Sequence, residues 1–293
     1  MHQIDRLIYK GATTQVGSWR CPTVDPRFRD SGPTENHLVV FPRSGVWIRH
    51  AGSRAFVADP HVVTIYNRGQ EFTREPLSLD GDRCDWFAVR PNIAAEIGAM
   101  YNRRIDDPGQ PFTRQFAPCS PTLYLRQRRL FLRLQHGRVD PLEAEEKIIG
   151  IVAEVISRSY GAMPAWSETT RERAERRDLI ERARAEIVTN VSQQLTVAQL
   201  ASNLKTSPFH LCRVFRSGTG LTLHDYRLEL RQRLLLERLA EPGANLSRIA
   251  HELGFSSHSH LSATMRRRGG MTPSALRRLL LSVGCEPQQA IAR

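Results

Sequence analysis

Between residues 37 and 89 the chain alternates short apolar runs with turn residues. "HLVVF", "GVWIRH", "RAFVAD", "HVVTIY" and "RCDWFAV" are rich in Val, Ile, Phe or Tyr and are bounded by Gly, Pro, Asp or Asn. Asn67-Arg68-Gly69 and Asp80-Gly81-Asp82 supply turn signals between them. Pro42-Arg43-Ser44, between the first two runs, predicts a hairpin. Short strands at regular spacing predict an antiparallel sandwich or barrel. The period changes near residue 93. Leu123, Leu130 and Leu134 stand at helical spacing within 121–136. Pro141 and the acids after it begin a second helix over 141–160. In it Ile148, Ile149, Val152, Val155 and Ile156 form one apolar stripe, suited to packing against the barrel or to a dimer seam. Residues 161–175 read as a linker running into a new helix, and the chain reads as helical from there to about residue 281.

The helical half contains a repeat with a period of about 50 residues. "LTVAQLASNLKTSPFHLCRVFRSGTGLT" (195–222) is followed by "NLSRIAHELGFSSHSHLSATMRRRGGMT" (245–272). Each copy predicts a short helix, a tight turn and a second helix. Ser207 and Pro208 suit the cap and first position of the second helix in copy one. Gly254 permits the turn in copy two, and Ser257 is its cap candidate. Leu211, Val214 and Phe215 face inward, whereas Phe209, Cys212, Arg213 and Arg216 share the opposite side. The outward set of copy two is Ser259, Ser262, Ala263 and Arg266. A helix with a buried stripe and an exposed stripe ending in arginines suits a major-groove reader. "YRLELRQRLLLERLA" (226–240) joins the copies as an amphipathic spacer with Leu228, Leu235 and Leu239 on one side. To serve one DNA face, such a spacer would hold the reading helices roughly 34 Å apart.

Charge sharpens this picture. The 293-residue chain carries a formal net charge of +12. Residues 171–293 hold 20 basic against 11 acidic residues, so most of the excess lies in the repeat half. A basic domain attracts polyanions. An arginine-rich proteome would give a similar total, since Lys10, Lys147 and Lys205 are the only lysines. Five scattered cysteines without a C-x-x-C pair suit a reducing cytoplasm. Neither a membrane span nor an export signal is expected, which places the chain in the cytoplasm.

Residues 176–281 resemble the DNA-binding domain of the AraC family of bacterial transcription regulators. "IAHELGFSSHSHLSATMRRRGGMTPSALRR" (249–278) carries the resemblance, with its I-A-x-x-x-G-F-x-S segment and its G-x-T-P-S end. It implies about seven helices, with one helix of each copy in successive major grooves of double-stranded DNA. It also implies RNA polymerase as a partner, an N-terminal cupin-like barrel that senses a small molecule, and helices that make a homodimer. The expected architecture is α+β and multi-domain. An antiparallel cupin-like β-barrel with its following helices occupies 1–140, a dimerisation or packing helix 141–162, and a linker 163–175. The all-α DNA-binding domain with two helix-turn-helix motifs occupies 176–284, and a flexible tail 285–293. The expected DNA-binding residues are Ser207, Phe209, His210, Cys212, Arg213 and Arg216 in copy one. In copy two they are Ser257, His258, Ser259, Ser262, Arg266 and Arg267. The chain departs from the family pattern at Ala263, where an arginine is frequent, and at Met265, where an aromatic is. Copy one is therefore expected to supply more base readout, and copy two more phosphate anchoring through Arg266, Arg267 and Arg268.

Other chemistry is weaker. His258 and His260 look like a chelator but lie about 200° apart on a helix. His37, His50 and His61 contain no H-x-H, although folding could gather distant imidazoles. Trp19, Trp47, Tyr66 and Trp86 are candidates to line an effector pocket, with core packing as the competing role. Cys212 is expected to touch the groove or stand by. Three scattered cysteines in the N-terminal half exclude the four-cysteine zinc site of the family's DNA-repair relatives. G-x-S-x-G, Walker and H-E-x-x-H motifs are absent. The expectation is a regulator that is not an enzyme and carries neither metal nor cofactor. The rival is a cupin-type metal enzyme fused to a DNA-binding domain.

Overall fold

The computed structural model describes residues 4–30, 32–79, 81–102, 107, 109–161, 171–241 and 243–282. Nine strands form the N-terminal part: β1 (Asp5–Lys10), β2 (Thr14–Cys21), β3 (His37–Pro42), β4 (Val46–His50), β5 (Phe56–Ala58), β6 (Val62–Tyr66), β7 (Phe72–Pro76), β8 (Asp82–Val89) and β9 (Phe116–Pro118). They make a six-stranded sheet in the order β1-β2-β8-β3-β6-β9 and a three-stranded sheet in the order β5-β4-β7. All pairings between these strands are antiparallel.

The sheets do not close into the expected barrel. The expected hairpin at Pro42-Arg43-Ser44 is a corner instead. β3 pairs with β6 and β8, whereas β4 leaves for the other sheet and pairs with β5 and β7. The backbone N–H groups of Arg43 and Ser44 both donate to the Arg83 carbonyl, which turns the chain away from its own strand. A helix packs across the large sheet and reaches the edge strand β9. β1, β2, β7 and β9 were not anticipated from the sequence.

The helices are α1 (Pro91–Tyr101), α2 (Pro121–Gln135), α3 (Pro141–Tyr160), α4 (Arg171–Thr189), α5 (Val197–Asn203), α6 (Pro208–Thr219), α7 (Leu223–Leu239), α8 (Leu246–Glu252), α9 (His258–Gly269) and α10 (Pro273–Leu281). Leu123, Leu130 and Leu134 of α2 are buried, as their spacing predicts. In α3, Ile148, Val152, Val155 and Ile156 are buried against β9, α1, α2 and the large sheet, with Ile149 half-buried. That stripe faces the chain's own core. Of the linker expected at 163–175, residues 163–170 lie outside the described residues and 171–175 form the first turn of α4. The tail expected at 285–293, with Cys285, also lies outside them.

Two cores organise the helical half. Leu211, Val214 and Phe215 of α6 pack with Ile180, Ile187 and Leu200. Leu261 and Met265 of α9 pack with Ile249, Phe255 and Leu235, in a core continuous with α2, α3 and the large sheet. The second repeat copy is thus built onto the N-terminal part.

Two histidines are locked in the N-terminal core. His50 is enclosed by Phe56, Tyr66 and Phe72, and burial pushes its imidazole down to about 4. His61 is also held at about 4, by burial first and then by the Arg233 charge. Both are depressed in the folded chain, so their contribution is complete above the ordinary value near 6.5. It is lost as the pH falls from there towards about 4. His50 alone is expected to account for on the order of 3 kcal/mol. Urea denaturation between pH 7.5 and about 4 checks this, with His50→Phe expected to flatten part of the slope. A profile unchanged by that substitution would count against the assignment.

Candidate nucleic-acid interface and effector cavity

The reading helices are shaped by local sequence. Ser207 accepts a hydrogen bond from the His210 N–H at 3.2 Å, and Pro208 occupies the first position of α6. Ser257 accepts from the His260 N–H at 3.1 Å and starts α9. Each helix stops at a glycine with positive φ, Gly220 or Gly270. On α6, Phe209 is 78% exposed, and Cys212, Arg213 and Arg216 are exposed with it. On α9, His258, Ser259, Ala263, Arg266 and Arg267 are exposed and Ser262 is half-buried.

Four polar residues of this region are turned inward or paired. His210 is half-buried. His260 meets Ser256 at 3.0 Å and sets its ring edge-on to Phe255, while His258 approaches Ser262 at 3.3 Å, so the two imidazoles part. Arg268, expected with the phosphate-anchoring triplet, ion-pairs with Asp225 of α7. It ties α9 to the spacer, which leaves Arg266 and Arg267 as the outward pair.

The spacer α7 links the copies through one side chain. Arg231 donates to the carbonyls of Val191 (2.8 Å), Gly254 (3.2 Å) and Gln193 (3.4 Å), and its guanidinium lies over the Phe255 ring. Residues 191–193 lead into copy one, and Gly254-Phe255 is the turn of copy two.

The same helix is gripped by the N-terminal part. Asp85 of β8 bridges Arg43 (3.3 Å) and Arg128 of α2 (3.2 Å). Both arginines also ion-pair with Glu237 of α7, to which the Tyr124 hydroxyl donates at 3.0 Å. All four charged side chains are at most 5% exposed. Burial opposes the Arg43 charge, yet Glu237 and Asp85 beside it raise its pKa further. A second network lies at the β5–β6 turn. The Tyr226 hydroxyl donates to Asp59 and accepts from Arg184 Nε at 2.7 Å. Arg184 also pairs with Glu181 at 3.0 Å, and Glu181 accepts the Val57 N–H. His61 stacks on Tyr226 with ring centroids 3.8 Å apart. No local pattern announces these pairs, because most of their members come from distant segments.

Between the two sheets lies a cavity of about 470 Å³. Three effector candidates, Trp19, Tyr66 and Trp86, line it. Trp47 does not. It alternates with Val46 and Ile48 along β4 and points to an outer groove against α4. Trp86 rests on Gly17, where a Cβ would come within 2.2 Å of the indole, and its N–H donates to Asp5 at 2.9 Å. Sequence reading missed Arg74 and Asp82, paired at 2.6 Å in the cavity wall. Burial raises Asp82 and the Arg74 charge lowers it, with burial prevailing. Even-numbered positions of β3 and β8 (Leu38, Val40, Asp82, Cys84, Trp86) face the cavity, while Val39, Phe87 and Asp85 face the helices.

The strand histidines are kept apart. His37 accepts the Arg68 N–H, His50 meets Gln70, and His61 sits with Asp59 and Tyr226. Among the described residues no group of three His, Cys, Asp or Glu could hold a metal ion, and no helix is long and apolar enough to cross a membrane.

Residues 200–279 match the family described as "Helix-turn-helix domain". A "Probable transcriptional regulator LumQ" of Photobacterium leiognathi is 34% identical over 29% of this chain and 34% of its own length. A "Putative AraC-like transcription regulator" of Streptomyces antibioticus is 36% identical over 28% of this chain and 27% of its own. The chain therefore spans about a third of the curated relatives it matches. The structure of unsaturated fatty acid bound ToxT from Vibrio cholerae aligns with 95% of this chain and 99% of that one. Its identity is 10% and its TM-score 0.37, a likeness too remote to bear on a ligand here.

Proposed function

From the AraC-type helix-turn-helix domain at the C-terminus of this chain, we propose that the whole protein is a sequence-specific transcription regulator, working on DNA in the cytoplasm and controlled by a small molecule in the sheet–sheet cavity. One observation carries the reading. In both repeat copies a capped helix buries one stripe and leaves a polar stripe ending in arginine exposed. The proposed DNA contacts are Ser207, Phe209, Cys212, Arg213 and Arg216 on the first helix, and Ser257, His258, Ser259, Ser262, Arg266 and Arg267 on the second. The protein acts through binding rather than catalysis, and RNA polymerase is the partner that such binding would recruit or block.

The route from ligand to DNA runs through β8. Trp86 and Cys84 face the cavity, and Asp85 between them holds Arg43 and Arg128, hence Glu237 of the spacer. An effector that shifts β8 would change the grip on the helix that sets the spacing of the two reading helices. Such an effector acts only by its difference in affinity between the two arrangements.

Footprinting on the DNA flanking the protein's own gene tests the proposal, and the absence of any protected sequence would sink it. Within that experiment Arg213→Ala should relax preference at one or two base pairs, at a cost of about 1–3 kcal/mol. Arg266→Ala should weaken all sequences alike and lower the salt slope by about 1. Equal behaviour of the two variants would remove the division between a base-reading and a phosphate-anchoring copy.

A further inference from the structure

The charge pattern of the sheet–sheet cavity names a class of ligand, an inference that rests on the effector reading above. Deep in the cavity the Arg74 charge is already matched by Asp82, and a second guanidinium N–H donates to the Arg27 carbonyl at 3.0 Å. Arg74 is 3% exposed, and its Nε has no partner. Neither has the buried indole nitrogen of Trp19, a residue that also lines the cavity and whose ring centroid lies 4.8 Å from the Arg74 guanidinium. Arg74 is the only cation among the described residues that line this space, and Asp82 neutralises it.

The more exposed end is acidic. Asp5 and Glu35 both line the cavity, and among the described residues neither has an ion-pair partner. Their neighbours in that wall (Gln15, Thr34, Asn36, Leu38) are uncharged. The indole N–H of Trp86 fixes the Asp5 carboxylate, so one ring and two carboxylates border the same opening. Ring faces and carboxylates both attract cations. Burial raises the Asp5 pKa, the Trp86 hydrogen bond opposes that rise, and the Glu35 charge adds a smaller one.

We propose that the cavity takes an organic monocation. Its ammonium head lies by Asp5, Glu35 and the Trp86 ring, and its apolar body fills the space between the sheets, where Arg74 offers no unmatched charge. An anionic ligand would instead pass two carboxylates to reach a guanidinium that Asp82 already holds.

The test uses three matched probes on the full chain: para-methoxyphenethylamine, the corresponding alcohol, and para-methoxyphenylacetate. Binding is read by tryptophan fluorescence and calorimetry. The amine should bind at least about tenfold tighter than either of the others. Asp5→Asn combined with Glu35→Gln should bring the amine down to the level of the alcohol, with the thermal unfolding midpoint confirming an intact fold. Carboxylate binding equal to or tighter than the amine overturns the proposal. So does an amine preference that survives the double substitution, or no amine binding up to about 10 mM. The same samples are then footprinted. Amine binding that leaves the footprint unchanged upholds the ligand class and sinks the effector role, whereas a normal footprint with no amine binding sinks the ligand class alone.

Discussion

Asp85→Ala should lower the free energy of unfolding by roughly 3–5 kcal/mol, measured by urea denaturation at neutral pH. The magnitude follows from what the carboxylate leaves behind. Asp85 is fully buried and serves Arg43 and Arg128 together, at 3.3 and 3.2 Å. Without it, two buried guanidiniums face the single carboxylate of Glu237, and desolvated charge without a partner is the costliest defect a core can hold. Because Glu237 belongs to α7, the substitution should also loosen the hold of the N-terminal part on the spacer. A double-mutant cycle with Glu237→Gln should show strong non-additivity, since the two carboxylates share both arginines. A loss below about 1 kcal/mol would mean that water reaches the network and replaces the missing partner.

Gly254→Ala should cost on the order of 3 kcal/mol and should weaken DNA binding by more than its stability loss explains. Gly254 has φ +74°, the left-handed region. An added Cβ would stand 2.1 Å from the Ser192 carbonyl oxygen and 2.6 Å from the Arg231 guanidinium. The first neighbour is backbone and cannot swing aside. Relief requires the turn of copy two to move away from residues 191–193, which breaks the bridge that Arg231 makes between the copies. If the protein reads two grooves at once, as proposed, that reading depends on the bridge. Footprints of the variant should therefore shrink to one half of the site, and a full-length footprint at unchanged affinity would refute the role given to the bridge.

What could be read from the sequence follows the range of the interactions involved. The helix-turn-helix copies were legible because their determinants are local. Ser207, Ser257 and Gly254 act within a few residues of themselves, and the 3.6-residue period of Leu211, Val214 and Phe215 marks the buried side. The corner at Arg43 was not legible, because it is set by the Arg83 carbonyl and the charges of Asp85 and Glu237, all far along the chain. The outward direction of Trp47 was available in principle. Val46, Ile48 and His50 alternate with it along β4, and a period of two puts Trp47 on the opposite face. The acidic rim of the cavity depends on β1, whose sequence "DRLIYK" has no turn signals or clean alternation to announce it. Arg268 could not be separated from its two neighbours, since its partner Asp225 lies 43 residues earlier, in the spacer.

The alternation along β8 also has a use for anyone who would rebuild the protein. Positions 82, 84 and 86 touch the cavity, and position 85 touches the ion pairs that would carry a proposed signal onward. Under the proposed function, recognition and response would lie on opposite sides of a single strand, one residue out of step. A library confined to the cavity-facing positions of β3 and β8 should then change which compound binds while leaving the Asp85 ion pairs in place. A single-residue insertion in β8 would exchange the two sides and disconnect sensing from response altogether.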